Sequence, residues 1–236
     1  MEIAEKIKNE LENLGSKEKA ISAQKFFKTG KGEYREGDIF IGITVPEQRK
    51  VAKKFQDIAS LTDIQKLLGS KIHEHRQVAL IILVEKFKKV KKDKFKKREI
   101  YEFYLKNTKR INNWDLVDIS APHIIGEFSR EEIGQIPRYL AKSENLWERR
   151  IAIVSSYAFI KKRFFGETLV IADILMNDKH DLIHKAVGWM LREIGKKNQQ
   201  VLEIFLSTRY KKMPRTMLRY SIEKFPKELR KKYMKK

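Results

Sequence analysis

The chain of 236 residues carries 52 Lys and Arg against 31 Asp and Glu, a net charge of +21, and it contains no cysteine. Disulfides, thiolate metal sites and a cysteine nucleophile are therefore excluded. No apolar run reaches the ~20 residues that cross a bilayer, and no apolar leader opens the chain. A cytoplasmic protein without membrane association is expected, with one domain over residues 1–236 that is long enough to bury its own core. A surface this basic attracts polyanions, because every phosphate it neutralises releases condensed counterions.

Taken in chain order, the first irregular stretch is Lys28 to Thr44, where Gly30, Gly32, Gly37 and Gly42 stand among charged and aromatic residues. It reads as a long loop, either a plain connector or a phosphate cradle; Gly30-Lys31-Gly32 lacks the pattern of a nucleotide-binding P-loop. Pro46 stands where a first helical turn tolerates proline, and Pro122, Pro137 and Pro214 mark further helix starts or bends. Val78-Leu80-Ile81-Leu83-Val84-Phe87 and Ile151-Ile153-Val154-Tyr157-Ile160 have helical spacing and end in lysines, which suit the negative C-terminal end of a helix. No convincing alternating strand is present, so the expected class is all-α.

Leu68 to Ala79, Leu140 to Ala152 and Leu175 to Ala186 each join a helix end, a polar loop and the next helix. Their offsets of 72 and 35 residues fit a two-helix repeat near the lower edge of the HEAT and armadillo range. The expected architecture is a HEAT-like helical-repeat solenoid with a concave, basic cleft. Lined with Lys and Arg, such an arc suits a nucleic-acid duplex better than a peptide.

Asn112-Asn113-Trp114-Asp115-Leu116-Val117-Asp118 is the most unusual segment. If it opens a helix, Trp114 and Asp118 stand at i, i+4 on one face. An indole beside a carboxylate can receive a cation; alternatively Trp114 is core and the aspartates cap a helix or pair with lysine. Trp147-Glu148-Arg149-Arg150 and Lys185-Ala186-Val187-Gly188-Trp189 set two more tryptophans beside basic residues. Arg149 and Arg150 point in different directions, so one can pair with a carboxylate while the other grips phosphate. Gly188 is read as leaving space around Trp189. His180 and His184 have i, i+4 spacing without a third ligand, and all five histidines are read as helix-end or surface residues. No metal and no cofactor is expected.

These segments resemble the AlkD-like DNA alkylation repair glycosylases over nearly the whole chain. Phe40-Ile41-Gly42-Ile43-Thr44-Val45-Pro46-Glu47-Gln48-Arg49, Trp114-Asp115-Leu116-Val117-Asp118, Trp147-Glu148-Arg149-Arg150 and Lys185-Ala186-Val187-Gly188-Trp189-Met190-Leu191-Arg192-Glu193 follow in the family's order. The resemblance implies stacked HEAT-like repeats around a DNA-binding cleft. It also implies hydrolytic release of 3-methyladenine and 7-methylguanine through contacts to backbone and sugar, without base flipping. Position by position, Asp118 matches the catalytic carboxylate, Trp114 and Trp189 the cleft tryptophans, and Arg150 an arginine that contacts DNA near the lesion. Phe26, Thr44 and Arg192 join Arg150 as expected DNA contacts. Phe26 stands where the family has a tyrosine, and Thr44 where a family member can carry a longer polar side chain.

The implied partner is double-stranded DNA bearing alkylated purines, met by a monomer. Two other readings use the same basic arc: a non-catalytic DNA-binding repeat protein for branched or damaged DNA, and a protein-binding scaffold with an acidic partner.

Overall fold

The computed structural model describes residues 2–90, 93–132 and 135–235. The chain divides into two compact units, Met1–Ser120 and Ala121–Lys236. Both are helical, and among the described residues the one β-type pairing is an isolated bridge between Ile39 and Ile72. The all-α expectation holds. No helix among the described residues is long and apolar enough to cross a membrane.

The first unit contains α1 (Ile3–Asn13), α2 (Lys17–Phe27), α3 (Val45–Phe55), α4 (Leu61–Leu68), α5 (His73–Lys89), α6 (Lys94–Lys106) and α7 (Trp114–Ser120). Its axis is α5, on which α3, α4 and α7 pack. From His73 to Val84 every residue of α5 is buried, so the helix has no solvent face and its polar residues must find partners inside. Caps define the boundaries: Ser60 Oγ accepts from the N–H of Asp63 at the start of α4, and Asp93 Oδ1 from that of Lys96 at the start of α6. By contrast α2 has no buried residue, and Ile21 and Phe26 on it are exposed.

Between α2 and α3 the chain forms the expected loop. Lys28 ends α2 at a left-handed φ of 54°. The N–H groups of Gly30 and Gly32 donate to the carboxylates of Glu33 and Glu36, so the loop's own acids occupy donors that a phosphate would need. Gly42 has φ +81°, and a Cβ there would lie 2.2 Å from the carbonyl oxygen of Ser16. The loop thus presses its backbone onto the start of α2, which only glycine permits.

The second unit opens with a π-helical turn, Pro122–Gly126, followed by α8 (Glu127–Glu131), α9 (Ile136–Leu140), α10 (Leu146–Ser155), α11 (Tyr157–Lys161), α12 (Gly166–Ile174), α13 (Asp181–Lys197), α14 (Gln199–Ser207), α15 (Arg215–Ser221) and α16 (Lys227–Met234). Here α13 is central and packs on α10, α14 and α15. The periodic stretch Ile151 to Ile160 is broken at Ser156 rather than forming one helix. Ser155 and Ser156 donate their hydroxyls to the carbonyls of Ala152 and Ile153, competing with the helical ladder. The three repeat segments fall on the α4–α5, α9–α10 and α12–α13 connections, and the prolines stand at helix starts as their fixed φ favours.

Gly188 does not make room for Trp189. A Cβ at Gly188 would lie 2.5 Å from Tyr220 Cβ and 2.6 Å from the Met217 carbonyl oxygen, so the glycine exists for the close crossing of α13 and α15. Gly188→Ala should therefore destabilise the protein by about 1–3 kcal/mol. Gly69→Ala, where the nearest atom stands 3.4 Å from the added Cβ, should stay within about 0.5 kcal/mol of wild type. Urea unfolding of the two variants checks the pair.

Candidate active site

At the start of α7 the Trp114 N–H donates to Oδ1 of Asn113, a fully buried asparagine, at 2.8 Å. Trp114 and Asp118 lie one turn apart, and both line one cavity of about 660 Å³ in the first unit. Phe26 and Phe27 of α2, Thr44 and Gln48 at the start of α3, and His73 of α5 form other parts of its wall. Four positions singled out in the sequence, Phe26, Thr44, Trp114 and Asp118, thus meet at one place.

An aromatic stack holds the tryptophan. Phe27 lies between Phe40, at a centroid distance of 4.9 Å, and Trp114, at 5.3 Å with 20° between the planes. Phe26 meets Trp114 edge-on at 5.9 Å and is itself 66% exposed, so its ring faces a ligand as readily as the protein. Thr44 is exposed, and its hydroxyl and N–H both donate to Glu47, closing the N-terminus of α3. Gln48 is buried; its Nε2 donates to the Ile43 carbonyl, while its Oε1 has no hydrogen-bond partner.

The two aspartates of α7 are distinguished by what they touch. Asp115 accepts the N–H of Leu116 on one oxygen, and His73 Nε2 at 2.7 Å and Gln77 Nε2 at 2.9 Å on the other. Its carboxylate is committed to the interior. Asp118 is half-buried at the cavity wall, and its charge is felt by the Tyr104 phenol, which is pushed up first by burial and further by that charge.

Beneath the cavity lies a polar network that the sequence reading missed. His73 and His75 stand at a helix start as expected, but neither is a surface residue: each is 1% exposed, because the whole N-terminal part of α5 is enclosed. His73 Nδ1 stands 3.2 Å from Asp38 Oδ2. Asp38 also receives Arg35 Nη2 at 2.7 Å and Arg76 Nη2 at 2.5 Å. Burial pushes the Asp38 carboxyl up, but His73, Arg76 and Arg35 outweigh it and hold the group below the usual carboxylate range. For His73 burial pulls the pKa down, yet Asp115 and Asp38 outweigh it and raise it. His75 is pushed down to about 4 by burial and by Lys8, which outweigh the opposite pull of Glu5. Glu74 accepts the N–H groups of Ile41, Gly42 and Ile43, so this concavity of backbone donors is filled by the protein's own carboxylate.

The remaining positions lie in the second unit. Trp189 is half-buried on α13, its ring 6.3 Å from that of Tyr157. Arg149 pairs with Asp178 at 2.6 Å, the carboxylate partner expected for one of the two arginines. Arg150 is buried and donates to the Leu182 carbonyl at 2.8 Å. Arg192 is ion-paired with Glu223, and Trp147 is core.

These features define an all-helical protein with a carboxylate and an indole on one short helix, facing an aromatic cavity. A sequence model of the family described as DNA alkylation repair enzyme matches residues 7–225, and the chain belongs to that family. A solved structure titled "Predicted DNA alkylation repair enzyme from Enterococcus faecalis" aligns with a TM-score of 0.70 at 18% identity, over 90% of this chain and 97% of that one. At that identity the likeness is one of fold. No curated protein matches the chain.

Removing the Asp38 charge leaves Arg35, Arg76 and His73 facing one another without their shared anion. Asp38→Asn should cost about 3–5 kcal/mol at pH 7. The folded-state pKa of Asp38 is lowered, so its contribution is present above the unfolded value of about 3.9 and fades as pH falls below it. Urea unfolding at pH 7 and at pH 3 should show the gap between wild type and Asp38→Asn narrowing in acid.

Proposed function

We propose that this protein is a DNA glycosylase that releases N3- and N7-alkylated purines, 3-methyladenine and 7-methylguanine among them, by hydrolysing the N-glycosidic bond. The observation that carries the reading is the placement of Asp118 and Trp114 on one face of α7 and at one cavity, with the neighbouring Asp115 tied up by His73 and Gln77. The chemistry follows from charge. Alkylation at N3 or N7 makes the purine cationic and a good leaving group, so no acid is needed to protonate it. As the bond breaks, positive charge moves to the sugar, and Asp118 stabilises that oxocarbenium-like state and orients the attacking water. Trp114 offers a π face to the same cation.

In this reading the protein acts as a cytoplasmic monomer on duplex DNA and grips backbone and sugar without flipping the base. Within the first unit the proposed DNA contacts are Phe26 and Thr44. Within the second they are Trp189, Arg192 and Arg150, the last of which is buried on the Leu182 carbonyl and must turn outward to make one. Because no base pocket has to close around the lesion, bulky adducts are tolerated. The net charge of +21 supplies the attraction to phosphate.

Asp118→Asn keeps the shape of the side chain but loses its charge, so the loss should fall on the transition state. Base release from methylated duplex should drop roughly 10²–10³-fold, while binding to DNA with an uncleavable abasic analogue changes by less than about tenfold. Equal rates for the variant and wild type remove this carboxylate from the mechanism, and no release by wild type favours a protein that only binds DNA. EDTA should have no effect on release.

Affinity for undamaged duplex should fall steeply with salt, each phosphate contact adding about 0.9 to the slope of log affinity against log salt. A flat dependence, measured by fluorescence anisotropy between low and moderate salt, points instead to a scaffold for an acidic protein.

A further inference from the structure

In the cavity wall, one group has a geometry that its burial alone does not explain. His73 is enclosed, and each of its ring nitrogens meets a carboxylate oxygen: Nδ1 at 3.2 Å from Asp38 and Nε2 at 2.7 Å from Asp115. A neutral imidazole has one N–H, so in either tautomer one lone pair would face an anion. Both contacts are hydrogen bonds only when the ring is an imidazolium. Phe40 stacks on the ring at 4.4 Å, and Phe27 lies tilted to it at 5.2 Å and is stacked in turn on Trp114.

We propose that His73 is a positioning residue, a buried imidazolium that ties the loop after α2, through Asp38, to the start of α7, through Asp115, and so sets the direction in which Trp114 and Asp118 face the cavity. The activity arm of its test rests on the glycosylase reading. Asp115 lies three residues before Asp118 on α7, so the pull of His73 on Asp115 fixes the rotation of that helix about its axis. The same ring supports Phe27, which sets the tilt of the indole.

The charged groups that face this histidine come from each element around it. Asp38 and Arg35 belong to the loop, Asp115 to α7, and Arg76 and Glu74 to α5 itself. Glu18 and Lys19 of α2 and Asp118 of α7 line the cavity beyond. With His73 protonated, the cations Arg35, Arg76 and His73 balance the carboxylates Asp38, Glu74 and Asp115; without the proton one anion is left over. The carboxylates outweigh burial and raise the His73 pKa, so the clamp opens as pH rises through that raised value.

The test uses the full chain. ¹⁵N-histidine NMR at pH 8 should find both His73 nitrogens protonated while His75 is neutral. Single-turnover release of 7-methylguanine should fall about 10–100-fold in His73→Gln and in Asp115→Asn, since small misplacements cost rate rather than affinity. Binding to DNA with an abasic analogue should change less than about threefold, and the double variant should lose little more than either single one. Wild type should show an alkaline limb in its release rate that His73→Gln lacks.

A neutral His73 ring at pH 7, or folded variants with the wild-type rate and pH profile, would overturn the assignment. Should His73→Gln not fold, Asp115→Asn and the NMR signature decide it. If wild type releases no base, the glycosylase reading falls alone, because the ¹⁵N pattern is read without substrate.

Discussion

The first unit depends on two buried carboxylates, Asp38 and Asp115, meeting the cations of α5. An isolated carboxylate inside a protein costs several kcal/mol, and the cost is offset only when its oxygens are filled with good donors. Asp38 receives two arginines and a histidine, and Asp115 a histidine, a glutamine and a backbone N–H. Satisfying them brings together segments distant in the chain, since His73 is 35 residues from Asp38 and 42 from Asp115. The loop after α2 buries Phe40 and Ile43, and this network together with the grip of Glu74 on its last N–H groups gives it a defined path.

From that constraint the site follows. Once α7 is held at its first turn, Trp114, Asp115 and Asp118 all border the cavity. Asp115 and Asp118 stand at i and i+3 on neighbouring parts of one face, and it is the hydrogen bonds of His73 and Gln77 to Asp115 that give the two different roles. Committing Asp115 to His73 leaves Asp118 at the wall with an indole beside it, an anionic and aromatic place in a chain whose overall charge is strongly positive. In the proposed reaction the charge draws in a polyanion over a distance, and the site discriminates for a cation at contact. A cationic purine within a phosphate backbone presents both.

The helical class, the long loop, the proline positions and the buried run of α5 were legible in the sequence because each rests on local spacing or on the backbone chemistry of single residues. The pairing of Trp114 with Asp118 was legible for the same reason, since i, i+4 geometry is local. Membership of the DNA alkylation repair family was legible in the order of four motifs along the chain, and the family match over residues 7–225 agrees with it.

What only the tertiary structure decided involves partners far apart in sequence. His73 and His75 sit among lysines and acids in a stretch that looks solvated, and nothing local says that α5 is enclosed on every side. Phe27 and Phe40 gave no signal as partners of Trp114, because a stack forms between elements and not along one. Gly188 invited a reading about its neighbour Trp189, whereas its cause is a helix about thirty residues away that leaves no space for a Cβ. By itself the sequence determined helix positions, charge and the motif residues, all set by interactions within a few residues. Which aspartate is buried, which histidine is charged and which arginine finds a carboxylate were decided by long-range contacts, since burial and the field of distant charges exist only once the chain has folded.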